Sequence, residues 1–168
     1  NKIVIAYGDD GGGADNYGKA VIGTISGSSI SFGSAVTFNS NATYEIDVAY
    51  DTVNNKVVIA YQDAGNSSYG TAIVGTVSGT SISFGSSAVF KTSQVQKAKI
   101  SFDTVNEKFA IFYGTGTSTG NAKVATVSGT SVSFGSEASF ASHNMQTQDS
   151  IYDPDTGKVV AAYRNGSS

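Results

Sequence analysis

A twelve-residue stretch at positions 75–86, GTVSGTSISFGS, occurs three times in the chain. It returns at 23–34 as GTISGSSISFGS and at 125–136 as ATVSGTSVSFGS. Self-similarity at a fixed period constrains the fold more than any single motif, because each repeat must be one supersecondary unit that buries its apolar face on its neighbours. A second recurring stretch sets the period. It reads NKIVIAY, NKVVIAY, EKFAIFY and GKVVAAY, ending at Tyr7, Tyr61, Tyr113 and Tyr163, and these tyrosines stand 54, 52 and 50 residues apart.

Each tyrosine-ended run is apolar, rich in β-branched residues and bounded by turn residues, which predicts a strand buried on both faces. We designate it position b of the unit. A polar loop leads to position c at residues 19–25, 71–77 and 121–127. A Ser-Gly-Ser/Thr-Ser turn follows, whose glycine supplies the positive φ of a tight hairpin. Position d, at 29–32, 81–84 and 131–134, alternates Ile or Val and Phe with Ser, as a strand with one wet face does. A longer connection leads to position a at 45–50, 97–102 and 148–152. Turns that open on Asp51, Asp103 and Asp153 then return the chain to b.

The unit is therefore a four-stranded antiparallel meander of about 50 residues. One such sheet is marginal alone in water and needs neighbours on both faces. The expected fold is all-β, a β-propeller-like array of four-stranded blades, with a linear stack of β-sheets as the alternative. The boundaries fall at 1–43 (strands b, c and d), 44–95 and 96–146 (complete blades) and 147–168 (strands a and b). Three blades are too few for a closed propeller, whose range is roughly 4–8. Closure would need a longer parent chain or a homo-oligomer, with the last strand a set beside the first strand b of a partner and the last strand b left over. Asn1 opens the chain without an initiator Met or signal peptide, as in a processed chain or a piece of a longer one.

The units differ from one another mainly at one end. In a meander the ab and cd turns share one end of the sheet, and the bc and da connections share the other. The ab and cd turns keep their length and nearly their sequence. The bc loop changes in length, and the middle of the da connection changes in sequence (AVTFNSNATYEID, SAVFKTSQVQKAK, EASFASHNMQTQD). Loops on a rigid scaffold are where binding residues collect, so the bc/da end is the expected ligand-binding face. Its candidates are Asp9, Asp10, Asp15, Asn16 and Tyr17 in the first bc loop, and Asp63, Asn66 and Tyr69 in the second. Unconstrained drift is the competing explanation.

Other chemistry finds little support. The first loop's three aspartates lack the alternating oxygen-ligand spacing of a calcium loop, so no metal or cofactor is expected. His143 is the one histidine and has no nucleophile or acid partner near it in sequence. Paired carboxylates for glycoside cleavage would have to come from different blades. The tyrosines ending strand b suit either sugar stacking or packing between blades, and packing is the simpler reading. With a net charge of −3 and no cysteine, the chain has neither a nucleic-acid footprint nor disulfides. No apolar run is long enough for a membrane-spanning helix.

The linked pieces NKVVIAY, YGTAIVGTVSGTSISFG and the ab hairpin resemble tandem repeats in tail or structural proteins of marine bacteriophages. The resemblance covers essentially the whole chain. It implies a propeller-type appendage module of the virion, non-enzymatic, meeting a host surface glycan or protein. A glycan-cleaving propeller, or an excised propeller fragment that self-assembles, are the alternatives. The third bc loop, GTGTSTG at 114–120, departs from the Asp/Asn/Tyr pattern of the first two.

Overall fold

The computed structural model describes residues 1–11, 15–116, 119–143 and 145–166. The chain starts with β1 (Lys2–Asp9), paired along its whole length with β2 (Tyr17–Ser26). The Ser-Gly turn, with Gly27 at φ 58°, reverses the chain into β3 (Ser29–Phe32). β4 (Val36–Asp51) follows. Its first part, through Ala42, lies on the same edge of β2 as β3 does, and from Thr43 it pairs with β5 (Lys56–Asp63) in a second sheet. That sheet continues through β6 (Tyr69–Ser78), β7 (Ser81–Phe84) and the start of β8 (Ala88–Asp103). β8 crosses in turn into a third sheet with β9 (Lys108–Thr115), β10 (Thr119–Ser128), β11 (Ser131–Phe134) and β12 (Ala138–Ala141). β13 (Met145–Asp153) and β14 (Lys158–Asn165) form a fourth, two-stranded sheet. Every pairing is antiparallel, and the one helical segment among the described residues is the 3-10 turn Ala64–Asn66. The protein is all-β, with strands b, c and d where the repeat puts them.

The da connection departs from the sequence reading. It is not a loop in the first two units but extended chain, continuous with strand a in β4 and β8, each 16 residues long. Strand d is split into a short piece on the c end nearest the cd turn and a second piece further along the same edge. The chain changes sheets between Ala42 and Thr43 and between Gln94 and Val95, and two to three residues on it passes through a left-handed residue, Glu45 (φ 51°) or Lys97 (φ 54°), where the new ladder slips between Tyr44 and Asp47 or between Gln96 and Lys99. A residue with positive φ in a bulge bends a strand without ending it. Asn, Ser and Thr look like turn chemistry in sequence, yet here they serve as edge-strand residues paired to β2.

The sheets pack face to face, so each core holds side chains from two of them. Along β5, Val57, Ile59 and Tyr61 point towards the first sheet and join Ala20, Ile22 and Phe38. Val58 and Ala60 point the other way and meet Phe102, Phe109 and Ile111 of the third sheet. β5 is thus buried on both faces, as its unbroken apolar run requires. β1 and β14, the outermost b strands, have far more exposed side chains. Of the tyrosines ending strand b, the two in the central sheets are packing residues in the interior: Tyr61 lies edge-on to Phe38 at 5.2 Å, and Tyr113 is tilted against Phe90 at 5.1 Å, whereas Tyr7 is half-buried and Tyr163 exposed. Such ring pairs contribute about 0.5–1.5 kcal/mol beyond their burial.

The phenylalanine of the second d piece also explains the Tyr-Gly pair that opens strand c. Its ring lies directly over the glycine. A Cβ at Gly18 would stand 2.5 Å from the Phe38 ring, and one at Gly70 would stand 2.4 Å from Phe90.

Candidate functional site

The bc/da end is built from the tips of strands b and c and the crossing residues of β4 and β8. In the first unit Asn16, itself at φ 44°, clamps the crossing strand: its Nδ2 donates to Thr43 O (2.9 Å), and its carbonyl accepts from Thr43 N (3.0 Å). In the second unit Val95 N donates to Ser68 O (3.2 Å), and Gln62 Nε2 donates to Val95 O (2.5 Å). The bc loop and the crossing strand therefore form one surface, as the meander topology predicts, with the second component a strand.

Around Thr43 a polar network joins two sheets. Asn39 Nδ2 donates to Thr43 Oγ1 (3.0 Å) and to Asp63 Oδ1 (3.2 Å), Thr43 Oγ1 donates to Asn41 O (2.8 Å), and Asp63 Oδ1 also accepts from Gly65 N (3.1 Å). Buried polar atoms satisfied this fully hold the loop rigid.

The candidate residues divide by role. Asp9 is tied into an ion pair with Lys19 (2.5 Å) and accepts from Gly11 N (3.1 Å). The Lys19 hydrogen bond first, then the Gly11 amide, hold its carboxyl below the usual range. Asn16 and Asp63 are likewise structural, the latter buried as the cap of the 3-10 turn. Asp10, Asp15, Asn66 and Tyr17 are exposed, and Tyr69 is half-buried. The structure sets Tyr17 opposite Asp9 and Tyr69 opposite Asp63 across the bc hairpins, so two sheets present the same Asp/Tyr pairing at their ends. The third has Thr115 opposite Thr119, with hydroxyls 2.6 Å apart and Asn121 Nδ2 donating to both. Residues 12–14 and 117–118 of these loops lie outside the described residues. Among the described residues no group of three acidic or histidine side chains is placed to hold a metal ion.

Two interior tyrosine hydroxyls are held inside the protein, that of Tyr61 by a hydrogen bond with Ser87 and that of Tyr113 by Glu137. Tyr113 donates to Glu137 Oε2 (2.6 Å), which also pairs with Lys91 (2.8 Å), so β8, β9 and the segment before β12 are linked. Burial first and then Glu137 push the Tyr113 hydroxyl far up. The Lys91 hydrogen bond first, then the tyrosine, hold Glu137 low.

The sequence reading missed a set of side chains along the a strands of successive sheets. Asp47, Lys99 and Asp149 occupy the same repeat position. Asp47 Oδ2 accepts from Ile100 N of the next sheet (2.8 Å), Glu45 Oε2 accepts from Lys97 N (2.9 Å), Ser101 and Ser150 share a hydroxyl contact (2.8 Å), and Gln148 Nε2 donates to Lys97 O and to Phe112 O. Desolvation raises the Asp47 carboxyl despite the Ile100 amide and Lys99, and the charge of Asp149 adds to the rise. The available signal was a charged residue recurring at one position of an otherwise alternating strand.

At the opposite, ab/cd end, a cavity of about 520 Å³ opens between the first two sheets. Its lining includes Lys2, Val4, Val48, Tyr50 and Val77. The equivalent residues one sheet further on, Val58, Ile100 and Phe102, are buried, with Ala49 of strand a packed against their cluster. β1 has no strand a beside it among the described residues.

A scan against protein-family models finds no match to this chain, and a search of curated proteins finds none either.

Proposed function

We propose that the chain is a non-enzymatic repeat module of a phage tail appendage that meets a host-surface glycan or protein through its bc/da end. The observation that carries this is the recurrence of an exposed or half-exposed tyrosine opposite an aspartate, Tyr17 with Asp9 and Tyr69 with Asp63, on strand ends braced by a closed polar network. A rigid aromatic face edged by amide and carboxylate groups suits a sugar ring. Similar weak sites on adjacent sheets gain by multivalency when the ligand is a polysaccharide. We also propose radial stacking of the sheets as propeller blades. The side-chain bonds that join the a strands of successive sheets support it, since in a propeller those strands are the innermost.

A glycan-cleaving enzyme is the competing reading, and Asp47 with Asp149 is the observation that favours it. Against it, Asp47 accepts hydrogen bonds from the backbone amides of Ile100 and Val48, which leaves its carboxyl a poor proton donor to substrate. The test is an array of bacterial surface glycans together with whole host cells. Binding without release of reducing ends supports the module. Release of reducing ends that is lost in Asp47→Asn supports the enzyme.

A further inference from the structure

We infer that copies of this chain associate head to tail through a composite sheet, in which β13 of one copy pairs with the free edge of β1 of the next. Three surfaces left open by the fold match one another in the way its internal sheet interfaces do.

The first is the outer face of the first sheet. Ile30 and Phe32 are 49% and 54% exposed, whereas the equivalents of Ile30, Ile82 and Val132, are buried against the preceding sheet and those of Phe32, Phe84 and Phe134, are half-buried there. The second is the far face of the third sheet. Val124 and Phe140 are 50% and 38% exposed, whereas the equivalent Ile22, Val74, Phe38 and Phe90 are buried against the following sheet. Within the chain these two kinds of face meet through one ring pair, Phe38 with Phe84 at 5.7 Å and Phe90 with Phe134 at 5.9 Å. Phe140 meets Tyr163 of β14 at 5.4 Å, as Phe38 and Phe90 meet Tyr61 and Tyr113, and what its unit lacks is the further phenylalanine of a neighbouring d strand, the place that Phe32 of a second copy would take with Tyr7 replacing Tyr163.

The third surface is the cavity beside β1, lined by Val4, Val48 and Tyr50. One sheet on, that place is covered by Ala49 of strand a. The residue at the Ala49 position of β13 is Ile151, 69% exposed. If β13 takes the internal ab register, in which Ala49 opposes Val58 and Asp51 opposes Lys56, then Ile151 falls opposite Val4 at the cavity and Asp153 opposite Lys2. One arrangement thus covers all three surfaces and sets opposite charges across the strands.

β14 is the strand displaced. Most of its side chains are exposed and only β13 pairs with it. β1 offers β13 the same pairing and brings β2 and β3 with it, which cover Val124 and Phe140. Two copies joined by two such junctions hold six four-stranded units, within the roughly 4–8 that a closed propeller takes. The inference does not rest on the ligand proposed above.

The chain has no cysteine, so a clean test is available. A Val4→Cys chain is mixed with an Ile151→Cys chain and oxidised, and the mass of the unmodified 168-residue chain is measured by sedimentation over a concentration series. The expected results are a mass of twice 17.2 kDa, a disulfide between the two variants and none within either alone, and loss of association in Phe32→Asp. Phe32 is exposed in the single chain, so this variant should keep its melting temperature at dilution. A monomer up to about 100 μM, where any Kd tighter than that concentration would register, overturns the inference. So does an oligomer that forms without the Val4–Ile151 disulfide or survives Phe32→Asp.

Discussion

Gly33 and Gly85 follow the first d piece in the first and second units, and each lies against the cd turn of the next sheet. A Cβ built on Gly33 would stand 2.2 Å from the Thr80 carbonyl oxygen, and one on Gly85 would stand 2.0 Å from that of Thr130. Ordinary contact begins above about 3.4 Å, so an alanine must push the facing backbone away by more than 1 Å or part the two sheets. Overpacking of this kind costs about 1–3 kcal/mol. Gly135 holds the same place in the third unit, but its Cβ would meet nothing nearer than Val124 O at 3.7 Å. None of the three has a positive φ, so alanine is allowed by the backbone at each. At Gly135 it should gain about 0.4–1 kcal/mol by restricting the unfolded chain. In a domain of this size 1 kcal/mol moves the melting temperature by about 2–4 °C. Circular-dichroism melts at sub-micromolar protein should therefore show Gly33→Ala and Gly85→Ala lowered by about 2–12 °C and Gly135→Ala unchanged or raised. Equal damage at all three, or none at Gly85, would refute the idea that sheet stacking rather than turn conformation requires glycine there.

Other outcomes follow from the same packing and electrostatics. Gly70→Ala should lose about 1–3 kcal/mol to the Phe90 ring, and Phe90→Leu introduced with it should recover part of that loss in urea unfolding. Glu137, held low by Lys91 and Tyr113, contributes stability at neutral pH that is lost as pH falls below its ordinary value of 4.5. Glu137→Gln should accordingly flatten the melting temperature between pH 5 and 3, and an unchanged slope there counts against the pairing. Asp47 has the opposite sign, because its raised carboxyl makes ionisation a cost that is full above its folded value and absent well below 3.8. Asp47→Asn, which keeps an oxygen for the Ile100 amide, should be at least as stable as the parent at pH 7 and lose that advantage near pH 3. Gly135→Ala should weaken self-association at high concentration, where the composite sheet brings a second copy's cd turn against it.

The repeat made the local structure readable. The b run, with apolar residues on both faces, could only be an interior strand. The Ser-Gly turn could only be a tight hairpin. The alternation of Ser with Ile and Phe told which side of strand d faces a neighbour. The da connection was misread because Asn39, Asn41 and Thr43 carry turn chemistry. Their hydrogen bonds go to one another and to Asp63 in the next sheet, a contact no local pattern reveals. At the candidate site the sequence brought the bc loop and the da segment to one end of the sheets, where the structure has them, but did not reveal the division of labour among their residues. Asp9 and Asp63 looked like ligand groups and are held by Lys19, Gly11, Asn39 and Gly65, whereas Tyr17, Asp10, Asp15 and Asn66 are exposed and Tyr69 is half-buried. The Asp47, Lys99 and Asp149 row was hidden because one charge per strand reads as a solvent face until strand a is placed beside its neighbour.

The most direct test of the proposed function is binding of the chain to host cells and to their surface glycans, measured for the parent, for a Tyr17→Ala/Tyr69→Ala variant and for a control altered at the opposite end, Val53→Asp/Val105→Asp. A loss of about tenfold for each tyrosine removed, or about 1.4 kcal/mol, with the control unaffected, is the predicted result. Binding that survives loss of both tyrosines, or is abolished by the ab-turn control, would contradict the assignment of the bc/da end as the ligand face.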